Sequence, residues 1–273
     1  MIIRDLELFD ANCFYGRAKS PGAKQIKKIE DLYTEMEFYG IKEALVYHIS
    51  AKEEHFAVGN ETLANELNDT RRLHLVCTAI PHHTGEIDSP DAFFKEMKSQ
   101  GFCACRLFPR YHGFFLNKTV CGEMLNTLER YRMPLIIDHF EGVTWESIDK
   151  TSIAEIQRSL EGVTWDRIEQ VLLAFPNLPL IVTNVMNGYG QERYFYPLLK
   201  FHKNLYLETS TLQVAGSLEN ICRVFGAERL IFGSGLPLIN PGGPITQLFH
   251  ADITWEEKKL IAGNNLRNIL GQC

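Results

Sequence analysis

The sequence predicts an α/β fold of the (β/α)8 TIM-barrel type, built as a single domain over residues 1–273. Three observations predict it. Short apolar runs alternate with stretches of helical period along the whole chain, with no linker between halves. The length of 273 residues is close to the roughly 250 typical of such a barrel. The competing doubly wound sheet lacks its glycine-rich phosphate fingerprint after the first strand.

The elements follow in order. Residues 6–12 read as the first strand, and Ile26, Ile29, Leu32, Tyr33 and Met36 then recur at helical spacing, with Gly40 as a C-cap. Residues 44–48 are the second strand, followed by a helix over 53–67. Residues 73–80 are the third, and Ser89-Pro90 offers an N-cap and a first-turn proline to the next helix. Residues 102–108 are the fourth, with a helix over 121–131. Strands five to eight fall at 135–139, 180–184, 205–209 and 230–233, with helices at 165–175, 192–202 and 218–225. Thr254-Trp255-Glu256-Glu257 is a capping-box pattern opening the last helix. The five residues Glu141-Gly142-Val143-Thr144-Trp145 recur as Glu161-Gly162-Val163-Thr164-Trp165, which marks a loop insertion at 141–160 after the fifth strand. Loops after strands lie on the catalytic face of a barrel, so the insertion reads either as a lid or as a tolerated surface loop. Trp165, next to an N-cap threonine, reads as a packed helix start.

Composition narrows the partners. A net charge of −6 offers no basic surplus for a phosphate backbone, so nucleic acid is not expected as a partner. No apolar run approaches the ~18 residues a membrane helix needs, and the N-terminal residues do not resemble a secretory leader. The seven scattered cysteines read as reduced core thiols of a cytoplasmic protein, and Cys103 and Cys105, two apart, are expected to share one strand face. The expected partner is a small-molecule substrate. Assembly of identical copies stays open.

In a barrel the chemistry sits at the C-terminal strand ends. His48, His82, His83, His112 and His139 all fall there, where they make either a polar pocket or separate structural contacts. Those ends also carry a resemblance covering most of the chain. Phe9-Asp10-Ala11-Asn12-Cys13-Phe14-Tyr15-Gly16, Pro134-Leu135-Ile136-Ile137-Asp138-His139, the run from Phe175 to Asn184 and Phe232-Gly233-Ser234-Gly235-Leu236-Pro237 resemble strand motifs of the amidohydrolase superfamily, in its branch of metal-dependent hydrolases and decarboxylases. Ile261-Ala262-Gly263-Asn264-Asn265-Leu266 resembles the family's closing helix.

The resemblance implies a metal site that this sequence has largely lost. The first-strand His-x-His positions hold Asn12 and Phe14, the sixth-strand histidine is Asn184 and the eighth-strand aspartate is Gly235. Only the fifth-strand histidine is kept, as His139. Catalytic zinc needs about three protein ligands, so no metal and no other cofactor is expected, with a site rebuilt from other histidines as the alternative.

Without metal a water nucleophile needs a protein base. His139 is the candidate, because imidazole titrates near neutrality, and the alternative is a packing role. Arg106 shares a strand face with Ala104, from which its guanidinium either clamps a substrate carboxylate or pairs with Glu208 or Asp10. Glu208, ending the seventh strand, reads as an acid/base partner or as that counter-ion. Arg110 and His112 are candidates for an anion-binding rim, with exposed loop charge as the alternative for Arg110. His48, Asn12, Phe14 and Asn184 complete the candidate substrate-binding set, the asparagines as hydrogen-bond donors and Phe14 as an apolar filler of the vacated volume. The leading expectation is a metal-independent hydrolase acting on a small carboxylated or cyclic substrate. Its alternatives are a non-catalytic anion-binding barrel and an enzyme with a rebuilt metal site.

Overall fold

The apolar runs pair side by side in the order in which they occur, so that strands β1 (Leu8–Tyr15), β2 (Ile41–His48), β3 (Leu73–Thr78), β4 (Phe102–Leu107), β5 (Leu135–Asp138), β6 (Leu180–Thr183), β7 (Leu205–Glu208) and β8 (Leu230–Ile231) form one parallel sheet. The computed structural model describes residues 3–19, 24–67, 71–139, 163–185 and 191–271. The expected insertion at 141–160, with Trp145, lies outside them. The sheet closes on itself: the Ala11 amide donates to Phe232 O at 3.0 Å, Gly235 N to Asn12 O at 3.0 Å and Phe14 N to Leu236 O at 3.2 Å. Closure makes this a (β/α)8 barrel.

Strand alternation sorts the side chains into two apolar layers. Phe9, Ala11, Leu45, Val76, Ala104, Ile136, Ile181 and Ile231 meet in an inner cluster, joined by Leu266 and Ile269 of the helix Asn265–Leu270. Leu73, Leu75, Cys105, Leu135, Ile137, Leu180, Val182, Leu205 and Leu207 belong to the larger outer cluster, together with the apolar faces of the helices. Each central strand is therefore buried on both sides, which explains its near-continuous apolar sequence.

The local signals act as read. Gly40 takes the left-handed conformation, φ 72°, and ends the helix Ile29–Tyr39 one residue before β2. The Ser89 side chain accepts from Ala92 N with Pro90 at the first helical position, and Thr254 and Glu257 cap each other reciprocally. The differences are local too. The helix expected over 53–67 is two, Ser50–Glu53 and Phe56–Glu66, because extended His55 starts the second by accepting from Ala57 N. A helix at Gly242–His250 had no clear sequence signal. Cys103 and Cys105 do not share a face. A register shift between Leu75 and Val76 lies opposite Cys103, which packs against the inner cluster while Cys105 joins the outer one. Among the described residues no helix is long and apolar enough to cross a membrane.

Candidate active site at the barrel mouth

Following each inward row to its C-terminal end brings polar groups together. Two positions beyond Ala104, Ile136 and Ile181 of the inner cluster stand Arg106, Asp138 and Thr183, and Glu208 stands two beyond Tyr206, which packs on the same cluster. All four are buried. One guanidinium nitrogen, Arg106 Nη2, gathers three oxygens from three other strands: it pairs with Asp138 Oδ1, donates to Asn12 Oδ1 at 2.9 Å and to Thr183 Oγ1 at 3.1 Å. Thr183 Oγ1 also donates to Asp138 Oδ1. The guanidinium carbon lies 4.9 Å from the Tyr47 ring centre and 5.7 Å from that of Phe108. Burial works against this charge, but Asp138, Tyr47 and Glu208 hold the Arg106 pKa above its ordinary value.

Asn12 links the cation to a second acid. Its Oδ1 faces Arg106, and its Nδ2 donates to Glu208 Oε2 at 3.0 Å and Asn184 Oδ1 at 3.3 Å. The Ser210 hydroxyl donates to Glu208 Oε2 at 2.8 Å, and the Ser210 amide donates to Glu208 Oε1. Burial raises the Glu208 carboxyl to about 7, and the Ser210 bonds and the Asn12 bond hold it back from rising further. The neighbouring Asp10 holds the barrel seam, accepting from Ser234 N at 2.8 Å, from Ser234 Oγ and from Asn12 N at 2.9 Å. Burial raises its pKa too.

The open edge of this network is Asn184. It is half-buried and left-handed, φ 51°, a conformation asparagine tolerates better than most residues. Because its Oδ1 accepts from Asn12, its NH2 group is directed away from Asn12. Gly235 is also left-handed, φ 72°, and a Cβ there would lie 2.8 Å from Ile239, so no side chain reaches the mouth from this position. Phe14 packs 5.3 Å from Tyr47, itself 5.4 Å from Phe108, and the three rings belong to the inner cluster.

The expected histidines go elsewhere. The inward place at the end of β5 belongs to Asp138, so the next residue, His139, turns to the outer layer. Its Nδ1 is 2.8 Å from Val163 O and its ring stacks on Trp165 at 4.6 Å. Burial lowers its pKa, against the pull of Val163. His48 likewise follows inward Tyr47 and lies outside, 2.6 Å from Ser50 Oγ and edge-on to Tyr15. His112 Nε2 is 3.1 Å from Lys52 O, so it pins the loop rather than facing the network. His82 and His83 stack on each other, beside Glu123 and Val120 O. Arg110 is exposed. The counter-ion of Arg106 is Asp138, not Glu208 or Asp10. Sequence reasoning therefore brought Arg106, Glu208, Asn12, Asn184 and Phe14 together and passed over Asp138, Thr183 and Ser210. Counting two residues on from Ile136 and Ile181 would have found the first two.

Among the described residues the oxygens converging at this mouth are one carboxylate, one amide oxygen and one hydroxyl. Among the described residues no group of three or more His, Cys, Asp or Glu side chains is placed to hold one. The oxygens that converge do so on a guanidinium nitrogen.

Comparison with known proteins matches residues 68–272 to the family model described as Amidohydrolase. No curated protein matches the sequence. Among solved structures the chain is similar to a 5-carboxyvanillate decarboxylase from Novosphingobium aromaticivorans complexed with manganese and 4-hydroxy-3-methoxy-5-nitrobenzoic acid, with TM-score 0.74, 13% identity and coverage of 98% of this chain and 97% of that one. A 2,6-dihydroxybenzoate decarboxylase from Rhizobium gives TM-score 0.68 at 14% identity, covering 97% and 98%. A TIM-barrel protein from Bordetella bronchiseptica gives 0.69 at 15%, also covering 97% and 98%. At such identities the structures share the fold.

Proposed function

Because the chain belongs to the amidohydrolase family, we propose that it is an enzyme hydrolysing a small carboxylated or cyclic substrate, an ester, amide or lactone, at the C-terminal barrel mouth without a divalent metal. The observation that carries this reading is the Glu208–Asn12–Asn184 chain, which runs from a buried carboxyl near neutrality to a half-buried amide at the edge of the mouth. Glu208 takes a proton from water as the water oxygen bonds to the substrate carbonyl carbon. The Asn184 NH2 donates to the carbonyl oxygen, where negative charge develops. The C–O or C–N bond then breaks, and Glu208 returns the proton to the leaving atom. Arg106 is a positioning residue here, because its bond to Asn12 Oδ1 turns the Asn12 amide donor toward Glu208. Its charge is matched by Asp138, so the substrate carboxylate is assigned to the rim, where Lys52 Nζ stands 5.0 Å over the Phe108 ring and 5.8 Å over Tyr111, with Arg110 following.

The test is a screen of lactones, amides and esters carrying a carboxylate, run on the parent and on Glu208→Gln. Turnover that falls about 100-fold or more in the variant, with binding kept, is the expected result. Turnover unchanged in Glu208→Gln removes the reading. A non-catalytic anion-binding barrel has one observation in its favour, the complete burial of Glu208. Binding without turnover across the screen would select it.

A further inference from the structure

Three side-chain oxygens, Asp138 Oδ1, Asn12 Oδ1 and Thr183 Oγ1, approach one atom from three strands, as ligands approach a cation. That atom is Arg106 Nη2. The guanidinium is 3% exposed and sits between oxygens below and the Tyr47 and Phe108 ring faces beside it, so every neighbour named is one that favours positive charge. Among the described residues its buried Nε has no hydrogen-bond partner, so its polar contacts lie at the Nη2 end. What the position satisfies is charge at the Nη2 end.

We propose that the Arg106 guanidinium is the resident cation of the barrel mouth, and that the Asn12–Asp138–Thr183 oxygens form a cation seat which a free cation enters once the arginine side chain is removed. The proposal rests on the reading of this mouth as working without a divalent metal, and it concerns binding rather than turnover. In the parent the seat is filled from within. Arg106→Gly leaves a cavity lined by the same oxygens with one uncompensated carboxylate, which attracts either a small guanidinium or a hard divalent ion that accepts oxygen ligands.

The experiment follows thermal unfolding and manganese spin-resonance signals in the parent, Arg106→Gly and Arg106→Gly/Asp138→Asn. Methylguanidinium at ~10 mM should raise the melting temperature of Arg106→Gly by about 3 °C or more, as expected for a ligand that binds only the folded state. It should raise neither the parent nor the double variant. Mn2+ at ~1 mM should be immobilised by Arg106→Gly and stay free with the parent and the double variant. If Arg106→Gly is unfolded alone, methylguanidinium or Mn2+ should restore its circular dichroism. Arg106→Lys, which keeps a point charge, should respond to neither. Stoichiometric Mn2+ on the parent that disappears with Asp138→Asn would overturn the resident-cation assignment. Arg106→Gly indifferent to both cations would overturn the seat. Neither readout needs a substrate, so a failed activity screen leaves these outcomes readable.

Discussion

A Cβ on Gly233 would stand 2.0 Å from Glu208 Oε1, so the segment after β8 gives up a side chain to seat the carboxyl of β7. The substitution Gly233→Ala should therefore act at a distance in sequence but locally in space. The methyl group forces Glu208 out of its bonds to Ser210 and Asn12. Overpacking of this kind costs ~1–3 kcal/mol, to be read from denaturant unfolding. Turnover should fall more steeply than stability, because the misplaced carboxyl is the base. A Gly233→Ala protein with parental turnover would show that Glu208 is not held where it acts.

The Glu208 carboxyl also sets a pH dependence of stability. Its pKa is raised from 4.5 to about 7 on folding, so the folded state binds the proton that the unfolded state has lost. Its contribution is fully present below pH 4.5 and is lost as pH rises through 7, a change of ~3 kcal/mol. His48, His112 and His139 act in the opposite sense. Burial lowers each, so their contribution is lost as pH falls. Comparison with Glu208→Gln isolates the acid. The amide sets its NH2 against the Asn12 donor, a cost independent of pH, and removes the titration. Urea unfolding at pH 5, 6, 7 and 8 should show the parent losing stability relative to Glu208→Gln as pH rises. A constant difference between the two would mean that Glu208 is ionised throughout.

Among the described residues the ion-pair partner of Asp138 is Arg106, and both are buried. Asp138→Ala leaves the guanidinium without its carboxylate and should cost ~3–5 kcal/mol, the scale for breaking a buried pair on one side. Replacing both partners, as Arg106→Met with Asp138→Ala, should recover much of that loss. A double variant no more stable than Asp138→Ala alone would place the cost in packing rather than charge.

His139 and Glu208 separate cleanly by mutation. His139→Ala removes a ring stacked on Trp165 and a bond to Val163 O, so it should lower the melting temperature while changing turnover by no more than a few fold. Glu208→Gln should instead lower turnover about 100-fold or more. With Glu208 as base, kcat/KM should rise with pH and level above about 7. A profile that follows His139 instead, vanishing in His139→Ala, would return the base to the histidine.

The barrel was legible because each strand is a short apolar run between helices with ordinary caps, and those signals are local. Arg106 and Glu208 were legible because alternation from Ala104 and Leu207 fixes their faces. The role at β5 was not, because histidine chemistry and the motif drew attention to His139, while the row containing Ile136 leads to Asp138. At β1 the register shift between Asp10 and Cys13 breaks simple alternation, so that Asn12 joins the network although Ala11 belongs to the inner cluster. No sequence pattern announces a strand irregularity of that kind. The space Gly233 leaves for Glu208 depends on two strands meeting and is equally invisible before folding.

The polar network takes Asn12 from β1, Arg106 from β4, Asp138 from β5, Thr183 from β6 and Glu208 from β7. Cut between β4 and β5, the chain would divide its charges unevenly. The first half would keep the arginine without its acid, and the second both Asp138 and Glu208 without their cation. Each fragment would carry one member of the buried Arg106–Asp138 pair without the other. Through the contacts of Arg106, β4 is tied at one point to β1, β5 and β6, strands that are far apart along the chain.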